Sequence, residues 1–161
     1  MAPAEGTPEG IGWASYASTN DPRENTDYRD HVLANGFSRA PRAEDREMAL
    51  NIAHDRLQGS GQLLPESPEE QVKVLVDHYR QHRPPMPGES EVALVLGVVL
   101  ADCAVERALG VHWIMGSRGW PVLADEHGRE HFDPLCAAYD SVYLDGEHPL
   151  VLLDLAFPPA D

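Results

Sequence analysis

The sequence is poor in basic residues, since only 12 lysines and arginines stand against 27 aspartates and glutamates, a formal net charge of -15. Such a chain repels phosphate backbones, so nucleic acid is not expected as a partner. An acidic surface instead favours association with a basic protein or a cationic ligand. The alternative is that the acidity is a general compositional trait and marks no partner.

Cysteine is also scarce, and long apolar runs are missing. Cys103 and Cys136 are the only two cysteines, without CxxC spacing, so no disulfide framework is predicted. Both lie in apolar, helix-like patterns, where a thiol packs as a small hydrophobe.

The longest apolar run, residues 92–101, is about half of a membrane span. The first ten residues lack the basic and apolar stretches of a signal peptide. We therefore expect a cytoplasmic protein with no membrane partner.

Motifs of common enzyme classes are absent as well. The chain contains no glycine-rich nucleotide loop and no G-x-S-x-G element. Neither cysteine has an obvious neighbour that would activate its thiol. The sequence therefore favours a binding protein over an enzyme, and no cofactor is predicted.

The first half of the chain predicts helices. One covers about residues 43–58, and a second is capped by Ser67 and ends before Pro84. A third, over about residues 91–109, is apolar all round and should be the central helix. Its Gly97 predicts a close neighbour, and Gly110 should end it. On the first helix the buried face is assigned to Met48 and Ile52 and, with a poorer fit, to Ala49, Ala53 and Leu57.

After the third helix, the period of the apolar residues changes to the alternation that is typical of strands. The runs "VHWIM", "WPVLA" and "REHF", separated by "GSRG" and "DEHG", predict a three-stranded antiparallel meander. Asp133-Pro134 should open a further helix. Residues 149–157 fit either a short helix or an edge strand, and a helix is favoured. The predicted fold class is α+β, with three to four helices packed on a small antiparallel sheet.

The expected organisation is a flexible tail followed by a single α+β domain. The proposed ranges are 1–10 for the tail and 11–161 for the domain, divided into an irregular N-terminal wrap (11–42), helices (43–110), the β-meander (111–132), and a C-terminal helix with an apolar tail segment (133–161).

The stretch "DEHGREH", residues 125–131, suits either a metal site or a hairpin turn. His127 and His131 are imidazoles four residues apart, and His78 on a predicted helix could join them as a third ligand. Asp125 at the first turn position and Gly128 at the fourth are typical of a tight turn. The turn is the favoured interpretation, and the three histidines stay as weaker metal candidates.

A second candidate is a partner-binding patch. Trp113 and Trp120 flank a hairpin with Arg118 at its tip, and a turn centred on Ser117 would bring the tryptophans together. Tryptophan and arginine are favoured in binding hot spots. The candidate contacts are Trp113, Arg118, Trp120, Asp125 and Glu126. The alternative is that one tryptophan fills the core and the other covers the hairpin.

Three runs, "LGVVLADCAVERALGVHW", "VLADEHGRE" and "FDPLCAAYDSVYLDGE", resemble a small bacterial domain family of unknown function. The resemblance covers roughly residues 90–153 and implies an apolar helix, a hairpin with an Asp-x-x-Gly turn, and a Pro-started helix that closes on Gly-Glu. Where that family tends to carry a Lys-Arg pair, this chain has residues 142–144, Val-Tyr-Leu. The resemblance implies no catalytic residues.

These features favour a non-enzymatic protein that neutralises or holds a more basic partner. A compact acidic chain without catalytic motifs is similar in style to the immunity proteins that neutralise toxins, so a cognate toxin or a regulated protein would be the partner. The alternatives are a small metal-dependent enzyme and a ligand-binding accessory protein of a biosynthetic cluster. The sequence leaves the oligomeric state open.

Overall fold

The protein is described by a computed structural model over residues 40–85, 89–116 and 121–159. These ranges hold five helices and a three-stranded antiparallel sheet, which confirms the α+β class. The elements in chain order are α1 (Ala43–Gly59), α2 (Pro68–Gln81), α3 (Glu89–Arg107), β1 (His112–Met115), β2 (Pro121–Ala124), β3 (Glu130–Phe132), α4 (Pro134–Tyr143) and α5 (Pro149–Ala156). The segment that the sequence left between helix and strand forms α5.

Helix α3 is the centre of the fold, as its composition predicts. Its side chains are buried all round from Val92 to Ala101, and it packs against α1, α2, α4 and α5. A β-carbon on Gly97 would lie 2.7 Å from Leu135 Cδ2. The glycine therefore lets α4 approach α3 closely, which confirms the predicted neighbour.

The helix ends follow local capping chemistry. Ser67 Oγ accepts a hydrogen bond from the Glu70 amide at 3.2 Å, and Asp133 Oδ1 accepts one from the Cys136 amide at 3.0 Å. Helix α3 ends at Arg107, two residues before the predicted end, and Gly110 lies in the turn that follows, with φ +78. These local signals fix where α2 and α4 begin and where the chain turns toward β1.

The sheet is a meander in the order β1-β2-β3. Trp113 pairs with Leu123 and Met115 pairs with Pro121. A hairpin centred on Ser117 would instead place Trp113 opposite Pro121, so the predicted register was wrong by two residues. On the other edge, Leu123 faces Phe132 while Ala124 faces Glu130, which leaves His131 as an extra residue of β3.

A buried arginine joins three helices at the end of α3. Arg107 is 8% exposed and binds Glu69 at 2.9 Å and Asp154 at 2.5 Å. It also donates to the Phe157 carbonyl at 3.1 Å. The contact holds the end of α5 against α3 and α2.

Within the described ranges, no helix is long and apolar enough to cross a membrane.

Candidate functional site

Residues 125–128 form the tight turn between β2 and β3. The Gly128 amide donates to the Asp125 carbonyl at 2.9 Å, and Gly128 takes φ +79. Asp125 Oδ1 accepts the amides of His127 at 2.8 Å and Arg129 at 3.1 Å. Those hydrogen bonds stabilise the carboxylate and lower the pKa of Asp125 below its ordinary value, the Arg129 amide contributing most. Asp125 is therefore an ionised member of a well-bonded turn.

The turn lies directly on the end of α3. A β-carbon on Gly110 would fall 2.5 Å from Glu126 Cβ and 2.9 Å from Glu126 Cα. Only a glycine permits this approach, and its positive φ excludes other residues for a second reason. The carboxylates of Asp125 and Glu126 are consequently held beside the α3 terminus.

A pocket of about 360 Å³ opens between the turn, the end of α3 and the residues after α5. We call it the turn pocket and define it by Leu109, Asp125, Glu126, His127, His131 and Phe157. Its composition is mixed, because an apolar wall meets two carboxylates, two imidazoles and the side chain of Arg107. The charge of Arg107 is balanced by its ion pairs with Glu69 and Asp154. Leu109 is 88% exposed on that wall, an unusual position for a large apolar side chain.

His131 connects the turn to the C-terminal residues. Its Nε2 donates to the Ala156 carbonyl at 2.8 Å, and its ring packs on Phe157 with centroids 4.7 Å apart. Its Nδ1 lies 3.9 Å from Asp125 Oδ2. The extra residue in β3 places the imidazole in this position, beside the turn rather than in the regular strand alternation.

The net charge of the protein is negative because acidic residues outnumber basic ones, and most described cations are already paired. Most of them bind acidic side chains, namely Arg46, Arg56, Lys73, Arg83, Arg107 and Arg129. Arg80 donates to the carbonyls of Ser141 and Gly146. Exposed carboxylates such as Glu126 therefore add to a field that attracts cations.

The predicted site residues divide between two places. Asp125, Glu126, His127 and His131 come together in the turn pocket, whereas Trp113 does not line it. Arg118 and Trp120 lie outside the described residues, so the predicted tryptophan patch is represented by Trp113 alone.

Trp113 lines a separate cavity of about 410 Å³ between the start of α1, α3 and the sheet. We call it the tryptophan cavity and define it by Arg46, Val98, Asp102, Val111, Trp113 and Leu123. The indole is half-buried and packs against the core, which agrees with a tryptophan that partly fills it. Arg46 and Asp102 form an ion pair at 2.9 Å on the wall of this cavity.

The histidines do not assemble a metal site in the part of the chain that is described. There, no group of three or more His, Cys, Asp or Glu side chains is arranged to hold a metal ion. His78 lies on α2 near Ser60 Oγ at 3.4 Å and His82, with ring centroids 5.0 Å apart. Burial lowers the pKa of His78. The hypothesis that His78 joins His127 and His131 was therefore wrong.

Sequence reasoning missed two members of the turn pocket, Leu109 and Phe157. A signal for Leu109 existed, since a large apolar residue just before a helix-ending glycine is easily left exposed. Phe157 carried no such signal, because its place depends on how α5 returns to α3.

Comparison with family models, characterised proteins and solved structures finds no match to this chain. The resemblance over residues 90–153 stays a prediction made from the residues quoted for it.

Proposed function

We propose that this protein is a non-enzymatic binding protein that holds a more basic protein, as an immunity or regulatory protein does, and that the turn pocket is its main contact surface. The observation that carries the proposal is the pocket itself, where the exposed Leu109 lies beside two carboxylates on a strongly acidic chain. A cytoplasmic location is part of the proposal, and two buried cysteines that form no disulfide are compatible with it.

Two further features support a binding role. The turn is positioned by Gly110 and by the hydrogen bonds of Asp125, so little ordering entropy is lost when a partner docks. Acidic side chains around the pocket would raise the association rate with a basic partner, while Leu109 supplies apolar area that is buried only in the complex.

The test is gel filtration of the protein with the product of each adjacent gene. We expect one basic product to co-elute as a stable complex. Glu126→Lys should weaken that complex at least tenfold, about 1.4 kcal/mol, since it reverses a charge at the pocket. Glu47→Lys is the matched control, because Glu47 is exposed on α1, away from the turn. No co-elution, or equal effects of the two variants, would contradict the proposal.

A second candidate function rests on the tryptophan cavity. Its volume of about 410 Å³ is within the range of small-molecule sites, and it combines apolar walls with an Arg46–Asp102 ion pair. On this proposal the protein is a ligand-binding accessory of a biosynthetic cluster. A thermal-shift screen tests it: a ligand should raise the unfolding midpoint of the natural protein but not of Trp113→Ala. A screen in which every stabilising compound acts equally on both proteins would reject this candidate.

A further inference from the structure

We infer that the turn pocket receives an arginine side chain of the partner, with the guanidinium lying on the imidazole of His131 and bonded to the carboxylates of Asp125 and Glu126. The inference rests on the proposed function, because it specifies the chemistry of the same surface.

His131 offers a flat platform. One ring edge is used by the Ala156 carbonyl, the other faces Asp125, and one ring face lies on Phe157. The side chain is nevertheless 41% exposed, and we assign the contact to the ring face opposite Phe157. Planar guanidinium groups stack on such aromatic faces, whereas a lysine ammonium is a compact and strongly hydrated charge.

The carboxylate of Asp125 already forms an ion pair with a guanidinium. Asp125 Oδ1 is occupied by two backbone amides, but Oδ2 lies 3.4 Å from Nε of Arg129. The Arg129 side chain is 73% exposed, so this contact is held loosely and is readily exchanged. A partner's arginine can take its place and reach Glu126, whose side chain is 57% exposed, at the same time.

The pocket also fits the stem of an arginine. Its volume of about 360 Å³ exceeds that of one such side chain, and the three methylenes would cover the exposed Leu109. Burial of this apolar area and charge-assisted hydrogen bonds to two carboxylates would both favour the binding of an arginine side chain.

The experiment titrates the full ¹⁵N-labelled chain with the blocked tripeptides acetyl-Gly-Arg-Gly-amide and acetyl-Gly-Lys-Gly-amide. The arginine peptide should shift the amides of Gly110, Glu126 and His127, with an affinity at least threefold higher than that of the lysine peptide. Equal affinities, shifts confined to other residues, or no shifts at tens of millimolar peptide would overturn the inference.

Two variants sharpen the test, each with a matched control. Arg129→Gln should raise the affinity for the arginine peptide two- to fivefold, since it frees Asp125 Oδ2. Lys73→Gln removes the same charge from an ion pair on α2 and should change the affinity less than 1.5-fold. Glu126→Gln should lower the affinity at least threefold, and Glu47→Gln should not. If the control variants change the peptide affinity as strongly as the pocket variants do, the changes reflect net charge alone, and the inference is overturned.

The two proposals fail differently. If no basic protein forms a complex on gel filtration, the proposed function fails. If a complex forms and depends on Glu126 while the lysine peptide binds as well as the arginine peptide, only the arginine inference fails.

Discussion

Asp140 near the end of α4 predicts a marked pH dependence of stability. The residue is 2% exposed, and within the described residues its Oδ1 has no hydrogen-bond partner. Gly146 packs so closely that a β-carbon there would overlap the carboxyl group. Burial raises the pKa of Asp140 from 3.8 to about 7, with Glu147 adding to the rise and Arg80 opposing it.

The size of the effect follows from proton linkage. A shift of about 3 units at roughly 1.4 kcal/mol each makes the ionised carboxyl cost about 4 kcal/mol of folding stability at high pH. Because the folded pKa is raised, this stability is fully present below about pH 4 and is lost as the pH rises through about 7. Between pH 5 and pH 8 the expected loss is roughly 2–3 kcal/mol.

Asp140→Asn removes the ionisation while keeping nearly the same shape. Urea unfolding of both proteins at several values between pH 5 and pH 8 gives the free energy of unfolding, and the pH slope is the readout. Between pH 5 and pH 8, the free energy of unfolding of the variant should fall by about 2–3 kcal/mol less than that of the natural protein. Its absolute stability is less informative, because a buried amide also changes local hydrogen bonding.

Asp145→Asn is the matched control. Asp145 lies five residues further on, is 88% exposed, and has φ 55, a conformation that asparagine tolerates. Its substitution should leave the slope unchanged. If Asp140→Asn and the natural protein decline in parallel to within about 0.5 kcal/mol, the explanation based on a buried carboxyl would be refuted.

Two further predictions concern packing. Gly110→Ala should destabilise the protein by about 1–3 kcal/mol more than Gly61→Ala in urea unfolding, since both glycines have positive φ but only Gly110 meets Glu126. Equal losses would mean that the turn shifts freely. Cys103 and Cys136 are buried, and burial raises the pKa of Cys103 to about 12, so neither thiol should react with a disulfide reagent until the chain unfolds. Stoichiometric labelling of the folded protein would contradict this burial.

Local signals predicted much of the fold. The caps at Ser67 and Asp133, the all-round apolarity of α3 and the "DEHG" turn act within a few residues, and the structure has each of them. Gly97 was also informative, because a glycine in a helix interior is destabilising unless something packs against it.

The prediction of the buried face of α1 was less accurate. Ala49, Ala53 and Leu57 are fully buried, whereas Met48 is 44% exposed. The larger side chain suggested the core position, but the buried stripe follows the four-residue spacing of Ala49, Ala53 and Leu57. Side-chain size alone is therefore a poor guide to the buried face of a helix.

The candidate site was predictable only in part. The acids and histidines of the turn are adjacent in sequence, so their proximity followed directly. Leu109 lies beside them because the turn packs on the neighbouring Gly110, whereas Phe157 is brought there by the packing of α5 on α3, which no local pattern encodes. The register of β1 with β2 also differs by two residues from the predicted one, and Trp113 lines a separate cavity.

The most direct test of the central claim is calorimetric titration of the basic partner that co-elutes on gel filtration, with Glu126→Lys beside Glu47→Lys. The account predicts that the dissociation constant rises at least tenfold for Glu126→Lys and stays within twofold for Glu47→Lys. Indistinguishable dissociation constants for the two variants would contradict the claim that the turn pocket holds the partner.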